Sequence, residues 1–275
     1  MNSSAGSNPT CKARKAPRRC NQLDGRQWLR NSISVWSDIR KSAAENRLKH
    51  PAMFPTQLVD RLIETFLPAE GRTVLDPFTG SGSTLVAAAA AGRTGIGLEL
   101  SPEYVALTRE RLAEFPETDT HVHPASATEL LQFVAPESID LCITSPPYWD
   151  ILNQRRTADY KAVRHYGNLE NDLGVIADYD EFLDALADVF SDVLTALRPG
   201  AYCCIVVMDL RKKDRFFPFH SDLAQRLVAR GWRYDDLIVW NRQAEYNNLR
   251  PLGYPSVFRV NKVHEFILLM QKPRA

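Results

Sequence analysis

Apolar residues along this chain follow two periods that take turns, and their succession predicts the architecture. Short apolar runs at 73–76, 94–100, 121–124, 139–144, 201–208, 235–240 and 264–271 read as strands. The run at 201–208 is continuous, as in a strand buried on both faces. Between the runs the spacing changes to three and four. Leu58, Val59, Leu62, Ile63 and Phe66 predict one buried helical face, with Thr56 as its cap. Residues 84–91 predict a second helix, whose alanines permit close packing on a sheet. Ser101-Pro102-Glu103 opens a third, running to about Phe115, with a serine cap, proline at its first position and an acid in its first turn. Asp178 and Glu181 form a plausible capping box for a long helix with Phe182, Leu183, Leu186, Val189, Phe190, Val193, Leu194 and Leu197 on one face, ended by Pro199-Gly200. Another helix is expected over 220–229. Strands alternating with helices make the fold class α/β, a doubly wound and mostly parallel sheet.

With 275 residues and 44% apolar composition, the chain can bury one full core. We divide it into a basic, flexible N-terminal arm at 1–31 and one domain at 32–275. Within the domain, Ile33, Val35, Trp36 and Ile39 are apolar anchors ahead of the first long helix. The net charge of +1 does not announce a nucleic-acid binder. Its distribution is less even, since Lys12, Arg14, Lys15, Arg18, Arg19, Arg26 and Arg30 face only Asp24. Such an arm serves equally as a phosphate-following tail or a solvated terminus. No apolar stretch has the length of a signal peptide core or a membrane span. The five cysteines do not form a disulfide framework or a zinc-site spacing, so structural thiols in a reducing cytoplasm and no metal are expected.

The chemistry gathers where strands stop. After the run at 139–143 comes Thr144-Ser145-Pro146-Pro147-Tyr148-Trp149. Neither proline can donate to a sheet, and each fixes its own φ, so a buried strand turns abruptly into a rigid loop. That loop carries a hydroxyl and two aromatic rings at a strand's carboxyl end, where open α/β sheets place their sites. Upstream, Asp76-Pro77-Phe78-Thr79-Gly80-Ser81-Gly82-Ser83 follows strand 73–76 in the same way. It is neither a dinucleotide fingerprint nor a phosphate loop. Gly80 and Gly82 remove side chains where a ligand must approach backbone. Glu99, at the end of the next strand, offers a carboxylate for two ribose hydroxyls.

Together these segments resemble the amino-methyltransferases of DNA, which move a methyl group from S-adenosylmethionine to an exocyclic base amine. The Ser-Pro-Pro-Tyr form is most similar to the cytosine-N4 branch. The order here, with the cofactor loop first, resembles a permuted member, and the resemblance covers about residues 33–272. It implies a class I methyltransferase fold with an antiparallel edge hairpin made by the last two strands. It implies S-adenosyl-L-methionine as cofactor, S-adenosyl-L-homocysteine as product, and cofactor contacts from Pro51, Phe54, Pro55, Thr56, Asp76 through Ser83, Glu99 and Ser126. It assigns catalysis to Ser145, Pro146, Pro147 and Tyr148, with transfer directly to a base flipped out of duplex DNA. Chemically, the Ser145 hydroxyl and the Pro146 carbonyl are acceptors for amine hydrogens, the prolines supply prior positioning, and Tyr148 offers a flat face. The Pro-Cys nucleophile of the carbon-5 cytosine enzymes is missing.

Basic residues punctuate two loops, at about 150–177 and 241–262. Arg155, Arg156, Lys161 and Arg164 follow Trp149 in the first, and Arg242, Arg250, Arg259 and Lys262 mark the second. Arg211 and Lys212 form a further cluster after strand 201–208. All are expected to face DNA phosphates or guanine edges, although each cluster is also compatible with an ordinary solvated surface. His264-Glu265 resembles part of the active-site wall. The setting implied is a bacterial or archaeal cytoplasmic enzyme bound to double-stranded DNA, monomeric or homodimeric, with or without a cognate restriction endonuclease. Adenine-N6 methylation, an RNA or protein amino-methyltransferase, and a catalytically decayed DNA-binding module remain as alternatives.

Overall fold

The computed structural model describes residues 19–47, 53–149, 172–245, 249 and 251–274. The chain enters through α1 (Gly25–Asn31), capped by the Asp24 carboxylate, then β1 (Val35–Trp36) and α2 (Ala43–Arg47). Next come α3 (Thr56–Phe66), β2 (Thr73–Asp76), α4 (Ser83–Ala90), β3 (Thr94–Glu99), α5 (Pro102–Leu112) and β4 (His121–Pro124). The short α6 (Leu130–Phe133) leads to β5 (Ile139–Thr144), and α7 (Tyr179–Ala196) runs directly into β6 (Leu197–Val207). A small hairpin, β7 (Leu210–Lys212) and β8 (Arg215–Phe217), precedes α8 (Phe219–Ala229), β9 (Arg233–Asn241) and β10 (His264–Gln271).

Eight strands make one sheet in the order β1-β9-β10-β6-β5-β2-β3-β4. Strands β4, β3, β2, β5 and β6 are mutually parallel, while β10 runs antiparallel to both β6 and β9. From β2 the chain winds outward through β3 and β4, and from β5 it winds the other way, so the topological switch lies between β2 and β5. Alternate residues of the central strands serve opposite layers. Val74, Leu141, Ile143, Cys204, Val206, Ile267 and Leu269 meet α3 and α4 on one face. Leu75, Cys142, Cys203, Ile205, Val207, Leu268 and Met270 meet α7 and α8 on the other. This two-sided burial explains why β5 and β6 read as continuous apolar runs. Among the described residues no helix is long and apolar enough to cross a membrane.

Several local expectations are corrected. Thr56 is not the cap of α3: Pro55 takes that position, and the Glu45 carboxylate accepts the Thr56 N–H at 2.6 Å. Ser101 stands at the N-cap of α5 as expected but makes no side-chain cap bond, and its own N–H donates to Glu99 (2.7 Å). Pro199-Gly200 lies inside β6, as α7 already ends at Ala196 and the chain becomes extended at Leu197. The last two strands do pair as a hairpin, but β9 is not the sheet edge, for β1 adds a parallel partner outside it through Val35↔Val239 and Trp36↔Trp240. A two-residue strand is too short for periodicity to reveal.

Candidate active site

Both strand-ending motifs come to the switch point, side by side. The Thr144 hydroxyl, on the last residue of β5, donates to Asp76 Oδ1 at the end of β2 (2.6 Å). From Asp76 the glycine loop is fixed on three sides. Thr79 N–H donates to the Leu98 carbonyl (3.0 Å) and its hydroxyl to the Asp76 carbonyl (3.0 Å). Thr108 of α5 donates to the Gly80 carbonyl (3.1 Å), and the Arg111 guanidinium binds the Ser81 carbonyl. Gly82 caps α4 at φ 83°, and a Cβ there would lie 2.7 Å from Thr108 Cγ2. Glycine is required at that position by both conformation and space.

Two carboxylates stand at the ends of the strands that carry this loop. Asp76 is fully buried, and burial pushes its carboxyl up to about 6 against the hydrogen bonds that lower it. Its Oδ2 accepts no hydrogen bond, and the Ser83 hydroxyl nearby in sequence is likewise buried and unpartnered. Glu99 clamps the loop to the strand end, with Oε2 accepting Gly80 N–H and Oε1 accepting Ser101 N–H, both at 2.7 Å. Burial raises Glu99 to about 7, with Asp76 adding to the rise and the backbone donors opposing it. Each carboxylate oxygen has a second lone pair, so Glu99 still has acceptor capacity for hydroxyls. The orphaned polar atoms and glycine approach suit a ligand with an amine and hydroxyls.

The remaining predicted cofactor residues divide by placement. Pro77 and Phe78 line the start of the loop, with the Phe78 ring 6.4 Å from Phe190 of α7. Phe54 and Pro55 are buried at the start of α3, where Phe54 joins the core. Ser126 lies just past β4, its hydroxyl accepting Thr128 N–H within a capping box of its own. Pro51 lies outside the described residues.

In the second loop, the Ser145 hydroxyl lies 3.1 Å from the Tyr148 phenol. That phenol donates to Glu265 Oε2 (3.3 Å), on the neighbouring layer of β10. Glu265 forms a buried ion pair with Arg242, which also binds Glu245 (2.8 Å) and covers the Trp240 ring at 4.6 Å. Burial, then the Glu265 charge, drive the Tyr148 phenol well above its ordinary value, so it stays protonated. Pro146 is buried and Pro147 partly so. Tyr148's ring meets Phe219 edge-on at 6.3 Å.

Of the residues expected to face DNA, Arg242 is held inside this ion-pair network, and Trp149 is buried with its indole N–H on the Ile176 carbonyl (3.0 Å). Arg211, Lys212 and Lys262 gather around the β7–β8 hairpin, and Arg259 lies in the half-exposed approach to β10. Arg155, Arg156, Lys161, Arg164 and Arg250 lie outside the described residues. Sequence reasoning missed the hairpin itself, Glu45, and an Asp209–His220 pair (2.6 Å) whose imidazole stacks on Phe266 at 4.0 Å. A short basic–aromatic run was the available signal for the hairpin. Nothing local marks Glu265 as the partner of Tyr148.

The sheet order and the glycine loop define a class I S-adenosylmethionine-dependent methyltransferase fold. TrmN from Thermus thermophilus shares it at a TM-score of 0.51 and 18% identity, over 81% of this chain and 50% of that one. The [4+2]-cyclase SpnF shares it at 0.53 and 14% identity, over 82% of this chain and 85% of that one. The chain itself belongs to the DNA methylase family of N6 and N4 amino-methyltransferases, whose model matches residues 7–110 and 139–275. Among its relatives, the type II methyltransferase M.ScaI of Streptomyces caespitosus is 35% identical over 100 residues, 34% of this chain. That match covers 31% of M.ScaI, so the chain spans under a third of that relative's length.

Proposed function

We propose that the protein is an S-adenosylmethionine-dependent DNA methyltransferase that modifies the exocyclic N4 amine of cytosine in duplex DNA. The observation that carries this reading is the Ser145–Tyr148–Glu265 chain standing beside the glycine loop at the switch point. The bound cofactor supplies an electrophilic methyl group on sulfonium. Asp76, Ser83 and Glu99 hold it by its amine and hydroxyls, while Gly80 and Gly82 admit it against backbone.

A base amine is a weak nucleophile because its lone pair is delocalised into the ring. Acceptors placed on its hydrogens make the nitrogen more pyramidal and direct the lone pair outward. The Ser145 hydroxyl and the Pro146 carbonyl take that role, and the two prolines fix them before substrate arrives. A protonated Tyr148 donates to Glu265, which leaves the phenol oxygen free to accept from Ser145 and turns the serine's lone pairs toward the amine. Arg242 pairs with Glu265 and compensates the charge of that buried carboxylate. The Ser-Pro-Pro-Tyr form favours cytosine over adenine. The enzyme acts within a restriction–modification system or as a solitary methylase.

Labelled-methyl transfer to unmethylated genomic DNA, with mass spectrometry of the nucleosides, tests this. N4-methylcytosine is the expected product. N6-methyladenine would overturn the base preference and leave the mechanism, whereas label on RNA or protein alone would overturn the reading.

A further inference from the structure

The β7–β8 hairpin is a separate feature beside the catalytic loop. Its register pairs Leu210 with Phe217, Arg211 with Phe216 and Lys212 with Arg215, so its two faces differ. The inner face is anchored. Leu210 and Phe217 are buried, Phe217 meets Trp149 at 5.1 Å and Tyr179 at 4.7 Å, and Lys212 Nζ lies 3.9 Å over the Trp149 ring. Trp149 follows Tyr148 directly, so the hairpin and the catalytic loop are parts of one packed unit. The turn is tight, with Lys213 at φ 56° and the Arg211 guanidinium closing onto the Asp214 carbonyl (2.9 Å).

The outer face presents Phe216, 40% exposed, between two cations: Arg211 at 5.7 Å and Lys262 at 4.2 Å from its ring centroid. Lys262 comes from the approach to β10, so separate parts of the chain converge on this ring. Lys213 and Asp214 form the turn, while Arg215, opposite Lys212, lies over the buried Phe217 ring at 4.6 Å on the inner side of the hairpin. The Phe216 ring stands outside the core, with one part of its face open to solvent. A ring flanked by cations fits a partner that combines flat π-faces with a dense row of negative charge, which is nucleic acid.

We infer that this hairpin is a DNA wedge: Phe216 stacks into the gap beside the extruded nucleotide, while Arg211 and Lys262 bind the flanking phosphates. The inference rests on the methyltransferase reading above and adds the device that keeps the duplex open during transfer. Wedges of this kind offset lost base stacking with protein–ring stacking.

Because an abasic site offers such a gap in any sequence, it probes the wedge without knowledge of the target. We expect the full-length protein to bind a short duplex with one central abasic site about tenfold more tightly than the intact duplex, measured by fluorescence anisotropy. Phe216→Ala abolishes that preference and Phe216→Trp keeps it. Arg211→Gln and Lys262→Gln each lower the slope of log affinity against log salt by about one. The wedge is overturned if the wild type shows no abasic preference, if Phe216→Ala retains it, or if single strands outcompete both duplexes. Should the wild type bind no duplex and methylate no DNA, the methyltransferase reading falls as well. Normal methylation alongside an unchanged Phe216→Ala preference would sink the wedge alone.

Discussion

At the scale of single residues, the part proposed for the Tyr148 phenol is to relay position rather than to act as an acid. The side chain is partly buried, its hydroxyl stays protonated and bonds Glu265, and the Ser145 hydroxyl lies 3.1 Å away. Ser145→Ala is expected to lower the turnover number about 10²-fold or more, and Tyr148→Phe about tenfold, with cofactor affinity near wild type in both. Single-turnover kinetics beside cofactor titration checks this, and equal loss of cofactor binding would move both residues out of catalysis. Glu99 predicts a pH effect. Because burial pushes it up to about 7 while the form proposed to accept the ribose hydroxyls is the carboxylate, cofactor affinity should rise with pH and fall about tenfold per pH unit below 7. Calorimetric titration of Glu99→Gln should show weaker binding without that slope. The linked stability has the opposite sign. Burial raises both Asp76 and Glu99, so the folded protein keeps protons that the unfolded chain has released. Stability of the cofactor-free protein therefore declines as pH climbs from about 4 to about 7. Ser145 and Tyr148 stand out in the sequence because they lie in the rigid loop that follows β5, and Glu99 because it ends β3. Glu265's grip on Tyr148 spans 117 positions and leaves no local trace.

At the scale of elements, the glycine loop is secured by α5 as much as by its own strand. Gly82→Ala must place a methyl group against Thr108 at a positive φ, and should cost about 1–3 kcal/mol. Urea unfolding measures the loss, and Thr108→Ala in the same chain should recover the steric part, though not the conformational part. A recovery to wild-type stability would show that φ carries no cost there. Apart from the two-residue β1, the strands of the sheet are readable as apolar runs, and α3 and α7 from their one-sided spacing, while α5 is marked by its opening Ser-Pro-Glu. What period could not supply was where a cap's hydrogen bonds go. Glu45 and Glu99 satisfy the N–H groups of Thr56 and Ser101 from outside the helices concerned, and no residue spacing near either helix announces that. The β7–β8 hairpin escaped for another reason: strands this short carry no readable alternation, so Arg211 and Lys212 read as a DNA-facing cluster without the hairpin that carries them.

At the scale of the molecule, the sheet is completed by a segment from the opposite end of the chain. Trp36 is buried on β1, pairs in register with Trp240 and lies under the Arg61 guanidinium at 5.0 Å. Arg61 is itself held by a bidentate pair with Asp38. Trp36→Ala is expected to cost about 3–5 kcal/mol in chemical denaturation, as a large cavity opens over Trp240. A loss below about 1 kcal/mol would show that the N-terminal segment is a passive appendage. The same corner of the sheet holds the base of the long excursion between β9 and β10. There the Arg242 N–H donates to the Val263 carbonyl (2.8 Å), and Arg242 ties Glu245 to Glu265. Chain leaving β9 thus returns to β10 through a closed neck. Because closure entropy grows only slowly with length, insertions beyond such a neck add little strain to the strands that carry it. Lineages could therefore exchange this excursion like a tool bit in a fixed chuck, revising what the surface meets while Tyr148 stays in its grip.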